Sequence, residues 1–144
     1  MKTADRITLG LALARAGLSH AAAPLADSAY QPPTRDWLTG EFYAWFRSCL
    51  FQLGCTGFKA ENWDCDDFAD LFAAFARICH RRTSPNAGAA LPVGILWYVA
   101  AGRGGHAVNV ALTSDHGLVV IEPQSGHLLT LTPEEAASAW LVKL

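Results

Sequence analysis

No apolar run in the chain approaches the roughly 20 residues that a membrane-spanning helix needs, so the sequence carries no candidate span. Charge is scarce and balanced. Only 17% of the 144 residues are charged and the formal net charge is −2, which removes the electrostatic basis for nucleic-acid binding. The four cysteines, Cys49, Cys55, Cys65 and Cys79, form no CxxC pair and no zinc-type Cys/His spacing, which argues against a structural metal cluster. They read as free thiols in a reducing cytoplasm. There is no internal repeat and no second domain. With 51% hydrophobic residues, the chain is long and apolar enough for one folded core.

The N-terminus imitates a secretory leader only in part. Lys2 and Arg6 precede the apolar run Ile7 to Ala14, and Ala21-Ala22-Ala23 resembles a peptidase site, but Arg15 cuts the run short and Asp5 spoils the basic leader. Ile7, Leu11, Ala14 and Leu18 share one helical face, which predicts an amphipathic helix docked on the domain or on a partner. Residues 21 to 35, with Pro32-Pro33, read as a surface linker.

Periodicity then predicts two helices. Asp36 to Leu53 carries the stripe Trp37, Phe42, Trp45, Phe46, Cys49 and Leu50 and stops at Gly54. The second helix begins near Cys65, with Asp64 as its cap, and has Phe68, Leu71, Phe72, Phe75, Ile78 and Cys79 on one face. Beyond Leu91 the pattern changes to strands: Val93 to Ala100, His106 to Leu112, Leu118 to Glu122 and His127 to Leu131, separated by Gly-, Asp- and Ser-bearing turns. Thr132-Pro-Glu-Glu135 is a capping box opening a short helix to about Ala139, and Trp140 to Leu144 closes as a strand. Helices first and a strand meander after predict an α+β domain with helices packed on an antiparallel sheet.

Three separated residues suggest chemistry. Cys65 sits at a helix start, where unpaired N–H groups and the dipole favour a thiolate. His106 opens a strand after a glycine turn, and Glu122 ends the next strand. A short antiparallel hairpin makes the last two neighbours, so Cys65, His106 and Glu122 could serve as nucleophile, base and orienting acid. The oxyanion would be held by the Cys65 N–H and one of Asn62, Trp63 Nε1 or Gln52. Asp66 and Asp67 favour the helix start, yet they also raise a nearby thiol's pKa unless something neutralises them.

The segments Trp63-Asp64-Cys65-Asp66-Asp67-Phe68-Ala69, Gly105-His106-Ala107-Val108-Asn109-Val110 and Ile121-Glu122-Pro123-Gln124-Ser125-Gly126 resemble the papain-like C-terminal domain of mushroom chimerolectins, within the papain-like and transglutaminase-like superfamily. The resemblance runs from about Tyr30 to the C-terminus, giving residues 1–29 as helix and linker and 30–144 as a papain-like domain. It implies a calcium-dependent cysteine hydrolase of peptide or isopeptide bonds, with Asp66, Asp67, Glu122 and Gln124 as candidates around the calcium and no organic cofactor. Asn109 is an alternative support for the histidine. Small relatives occur in bacteria and phages, which would place a phage-encoded chain in the host cytoplasm. Two other readings stay open: a binding or dimerisation module, using the aromatic helix or the N-terminal helix and leaving room for a homodimer, and an acyl transferase of transglutaminase type.

Overall fold

The computed structural model describes residues 3–144; Met1 and Lys2, and with Lys2 one part of the leader reading, lie outside the described residues. The elements are β1 (Ala4–Asp5), α1 (Arg6–Arg15), β2 (Ala29–Tyr30), α2 (Phe42–Gln52), α3 (Cys65–Thr83), β3 (Val93–Ala100), β4 (Gly104–Thr113), β5 (Gly117–Ile121), β6 (Leu128–Leu129), α4 (Pro133–Ala137) and β7 (Leu141–Lys143). A wider helical turn, Trp37–Glu41, runs directly into α2. β1 and β2 form a small antiparallel pair. The other five strands form one antiparallel sheet in the order β6-β5-β4-β3-β7. The α+β expectation holds at this level.

Helices cover both faces of the sheet. On one face Leu9 and Leu13 of α1 meet Leu96, Tyr98, Val108 and Val110. On the other, Phe68 and Phe72 of α3 join Phe42 and Phe46 of α2 over Val93, Ala111 and Ile121. Ala69 and Ala73 bring α3 close to Ile95 and Ala107. Small residues at that contact let helix and sheet backbones approach, which large side chains would forbid. The α3 stripe is therefore shifted from the expected one: Ile78 is 48% exposed, and the buried line runs through Phe68, Ala69, Phe72, Ala73 and Ala76.

α1 also differs from expectation. Leu9 and Leu13 are buried, while Ile7 and Leu11 are 73% and 54% exposed. Apolar residues at every second position wind around the helix, so only one side can dock. Residues 21–35 are more than a surface tie. β2 pairs with β1, and the Val142 N–H bonds the Ala22 carbonyl at 2.8 Å, so α1 and its linker share the core of the sheet. No helix among the described residues is long and apolar enough to cross a membrane.

Candidate functional site

Asp64 has an extended backbone and caps α3; its N–H donates to Asp67 Oδ2 at 3.1 Å, which spends the Asp67 side chain on the helix start. Cys65 follows as the first residue of α3. It packs against the small cluster of Ala69, Ala73, Ile95 and Ala107. The thiolate expected at a helix start is not what this environment favours. Burial pushes the Cys65 thiol above its ordinary value of 9.0, and the Asp64 and Asp66 carboxylates push the same way. The backbone N–H groups of Ala107 and of Cys65 itself pull it back only in part. Interaction between the neighbouring Asp64 and Asp66 carboxyls holds Asp64 below and Asp66 above the ordinary 3.8.

His106 and Glu122 are neighbours as the hairpin predicts. His106 is 7% exposed, and its Nε2 lies 2.9 Å from Glu122 Oε2. The second Glu122 oxygen accepts the Gln124 N–H at 3.2 Å. The loop after Glu122 is fixed from α2: Tyr43 donates its hydroxyl to the Pro123 carbonyl at 3.2 Å, and Arg47 donates to the Gln124 carbonyl at 3.1 Å. Gly126 has φ 76°, and a Cβ there would stand 2.5 Å from the Tyr43 ring, so only glycine fits. Tyr43 and Arg47 were not singled out from sequence. Their one signal is polar atoms at i, i+4 beside an otherwise aromatic stripe.

Tyr98 stands opposite His106 and Trp97 opposite Ala107, and alternate residues of a strand face opposite sides of the sheet. The His106 ring meets the Tyr98 ring edge-on at 5.8 Å, on the α1 face. Cys65 packs against the cluster of Ala69, Ala73, Ile95 and Ala107 on the α3 face. Among the described residues no hydrogen bond joins Cys65 to His106; Glu122 holds the Nε2 of the ring, which leaves Nδ1 as its second nitrogen.

The supporting residues are placed differently from expectation. Trp63 Nε1 donates to the Cys55 carbonyl at 2.9 Å and so is already spent. Asn62 lies in a turn, its backbone N–H bonded to the Lys59 carbonyl. Asn109 is fully buried and gives its amide to the Ala69 and Gly94 carbonyls at 2.8 and 2.9 Å, knitting α3 to the sheet and leaving the histidine to Glu122. Asp66 is not gathered with Asp67 and Glu122. The ligand atoms that lie within 4.8 Å of one another are those of Asp64, Cys65 and Asp66. One further feature was missed in the sequence: Trp97, which packs against the same small cluster as Cys65, pairs with Trp140 at 6.0 Å, and Trp140 is 48% exposed.

No family model and no curated protein matches the chain. Solved structures do match its fold. PSL1a in its complex with E-64 aligns with TM-score 0.79 and 21% identity over 99% of this chain and 51% of its own. Polyporus squamosus lectin bound to the human-type influenza-binding epitope Neu5Acα2-6Galβ1-4GlcNAc aligns with TM-score 0.77 and 23% identity over 99% of this chain and 49% of its own. The chain thus spans about half the length of these lectin chains, and the likeness includes α1, which the sequence resemblance placed outside. The matching structures are lectins, and that finding, with a thiol pushed above its ordinary value by burial, overturns the expectation of a cysteine hydrolase.

Proposed function

We propose that the chain is a carbohydrate-binding module on a papain-like scaffold, with Cys65, His106 and Glu122 kept as packing and hydrogen-bonding residues. The observation that carries this reading is the match of nearly the whole chain to half of a lectin chain, at TM-scores of 0.79 and 0.77. It is supported by the state of the site itself: a desolvated thiol between carboxylates is a poor nucleophile, and an imidazole tied to a carboxylate between two strands is a structural crosslink. A glycan array probed with the labelled wild-type chain and with Cys65→Ala tests it. Both should retain the same glycans. An array on which neither retains any glycan would refute the reading.

For the calcium that the family resemblance implies, we propose Asp64 and Asp66 as ligands. Asp64 Oδ1 is buried with no hydrogen-bond partner, the kind of orphan that a hard cation satisfies. The Cys65 sulfur beside it is a soft donor that calcium does not favour, so the carboxylate oxygens would carry the binding. Calcium should raise the Tm of the wild-type chain and leave Asp64→Asn/Asp66→Asn unmoved. Because carboxylate ligands must be ionised to bind a cation and the Asp66 carboxyl is held above its ordinary value, the gain should shrink as pH falls. A Tm unmoved across a calcium titration would rule this out.

A further inference from the structure

Several clefts lie at the end of α3 remote from Cys65. The 19 residues of α3 span about 28 Å, and at the far end the chain folds several segments around the last turn of the helix. A cleft of about 490 Å³ lies between that turn, the loop at Ala87 to Leu91 and β7, and is lined by Arg77, Arg81 and Lys143. A second, of about 300 Å³, runs along Trp37, Trp45 and Arg82. A third, of about 240 Å³, joins them: it shares His80, Ser84 and Leu91 with the first and Trp37 and Thr83 with the second. Shared lining residues make the three clefts neighbours around the helix end, a set termed the groove. Its size is that of a ligand site.

Its chemistry is one-sided. Arg77, Arg81, Arg82 and Lys143 line it against the two carboxylates Asp27 and Glu41, in a chain whose net charge is −2. Arg77 gives one nitrogen to the Val93 carbonyl and Arg81 one to the Pro85 carbonyl, each at 2.9 Å. Those bonds fix the guanidinium groups and leave most of their five donors for a ligand. His80 Nε2 is taken by the Ala89 carbonyl at 3.2 Å. A helix C-terminus by itself repels anions; here the Ser84 N–H bonds the His80 carbonyl and the Thr83 hydroxyl the Cys79 carbonyl, and the cationic side chains of the last turns offset the dipole. The aromatic walls are held rigid, Trp37 stacked on Phe42 at 5.0 Å and Trp45 against Phe75 at 5.5 Å. Rigid indoles suit the apolar C–H face of a pyranose ring.

We propose that this groove binds an acidic oligosaccharide, its carboxylates on Arg77, Arg81 and Lys143 and its sugar rings along Trp37 and Trp45. The proposal rests on the carbohydrate-binding reading and gives it a place and a ligand charge. The test is an NMR titration of the full chain with tetragalacturonic acid, with neutral galactotetraose and hexaglutamate as comparisons. Shifts should cluster around Arg77 to Ser84 and Trp37, and galactotetraose should bind weakly or not at all. The exposed pair Arg81→Gln/Lys143→Gln, with an unchanged melting curve, should weaken tetragalacturonate by at least about tenfold. Equal affinity for the neutral tetramer, an unaffected variant, or hexaglutamate binding in the groove where tetragalacturonate does not would overturn the proposal. Saccharide shifts confined to another surface would overturn the groove and leave the carbohydrate-binding reading standing. No saccharide binding anywhere would end both.

Discussion

Cys65 stands where the helix dipole favours an anion, and two carboxylates and a desolvating wall oppose that preference. The balance goes against the thiolate. Alkylation of the native chain with limiting iodoacetamide, followed by peptide mapping, should therefore modify Cys65 no faster than an ordinary thiol near neutral pH, with its rate rising only at a pH above the usual thiol range. Asp66→Asn removes one repelling charge and should speed that reaction. A Cys65 that outpaces the other cysteines in the wild type would show the balance to be the reverse. Glu122 offers the complementary case. Its two oxygens hold His106 and the Gln124 N–H, so Glu122→Ala strands a nearly buried imidazole and loosens the loop that Tyr43 and Arg47 grip. A loss of about 2 kcal/mol in denaturant unfolding is expected, with glycan retention unchanged. Glycan binding lost from a folded Glu122→Ala chain would give the residue a part in the site.

At the scale of elements, α4 shows how little a short helix owes to burial. It has five residues, one of them buried, and is held by Glu135, which accepts the Thr132 N–H at 3.0 Å and the Ala101 N–H at 3.1 Å. These bonds hold the Glu135 carboxyl below its ordinary 4.5. The folded state therefore favours the ionised form. Its contribution is present above the ordinary value and is lost as pH falls through the depressed folded one. Glu135→Gln should flatten the acid limb of the stability profile in that window. An unchanged acid limb would mean that the two bonds do not discriminate between charged and neutral Glu135.

The long elements were legible because each repeats a pattern many times. α3, β3 and β4 fall within a residue or two of where periodicity and turn residues put them, and the Asp64 cap and the Thr132 capping box are visible as local chemistry. What failed was the choice of face. Both α1 and α3 carry apolar residues on more than one side, and only the sheet decides that Leu9 and Ala69 go inward while Ile7 and Ile78 stay out. The β1–β2 pair was invisible, being two short strands 25 residues apart in sequence whose register depends on where α1 lands.

Within the site, His106 and Glu122 were legible for a simple geometric reason: a hairpin brings its strand ends together. Nothing as local fixes which side of a strand the Cys65 helix approaches, and the register that sets Tyr98 against His106 and Trp97 against Ala107 is a property of the assembled sheet. The groove at the far end of α3 was equally hidden, since its Trp37, Arg77 and Lys143 come from segments remote in sequence. Taken whole, the molecule is one layered α+β body whose likeness to lectin chains extends over 99% of its length.

The most direct measurement is isothermal titration of the strongest array glycan into the wild-type chain and into Cys65→Ala, with each sample also incubated with a peptide library and read by mass spectrometry. A binding module gives the same Kd for both and no Cys65-dependent cleavage. A glycan that neither chain binds, with peptides cut by the wild type and left intact by Cys65→Ala, would contradict it.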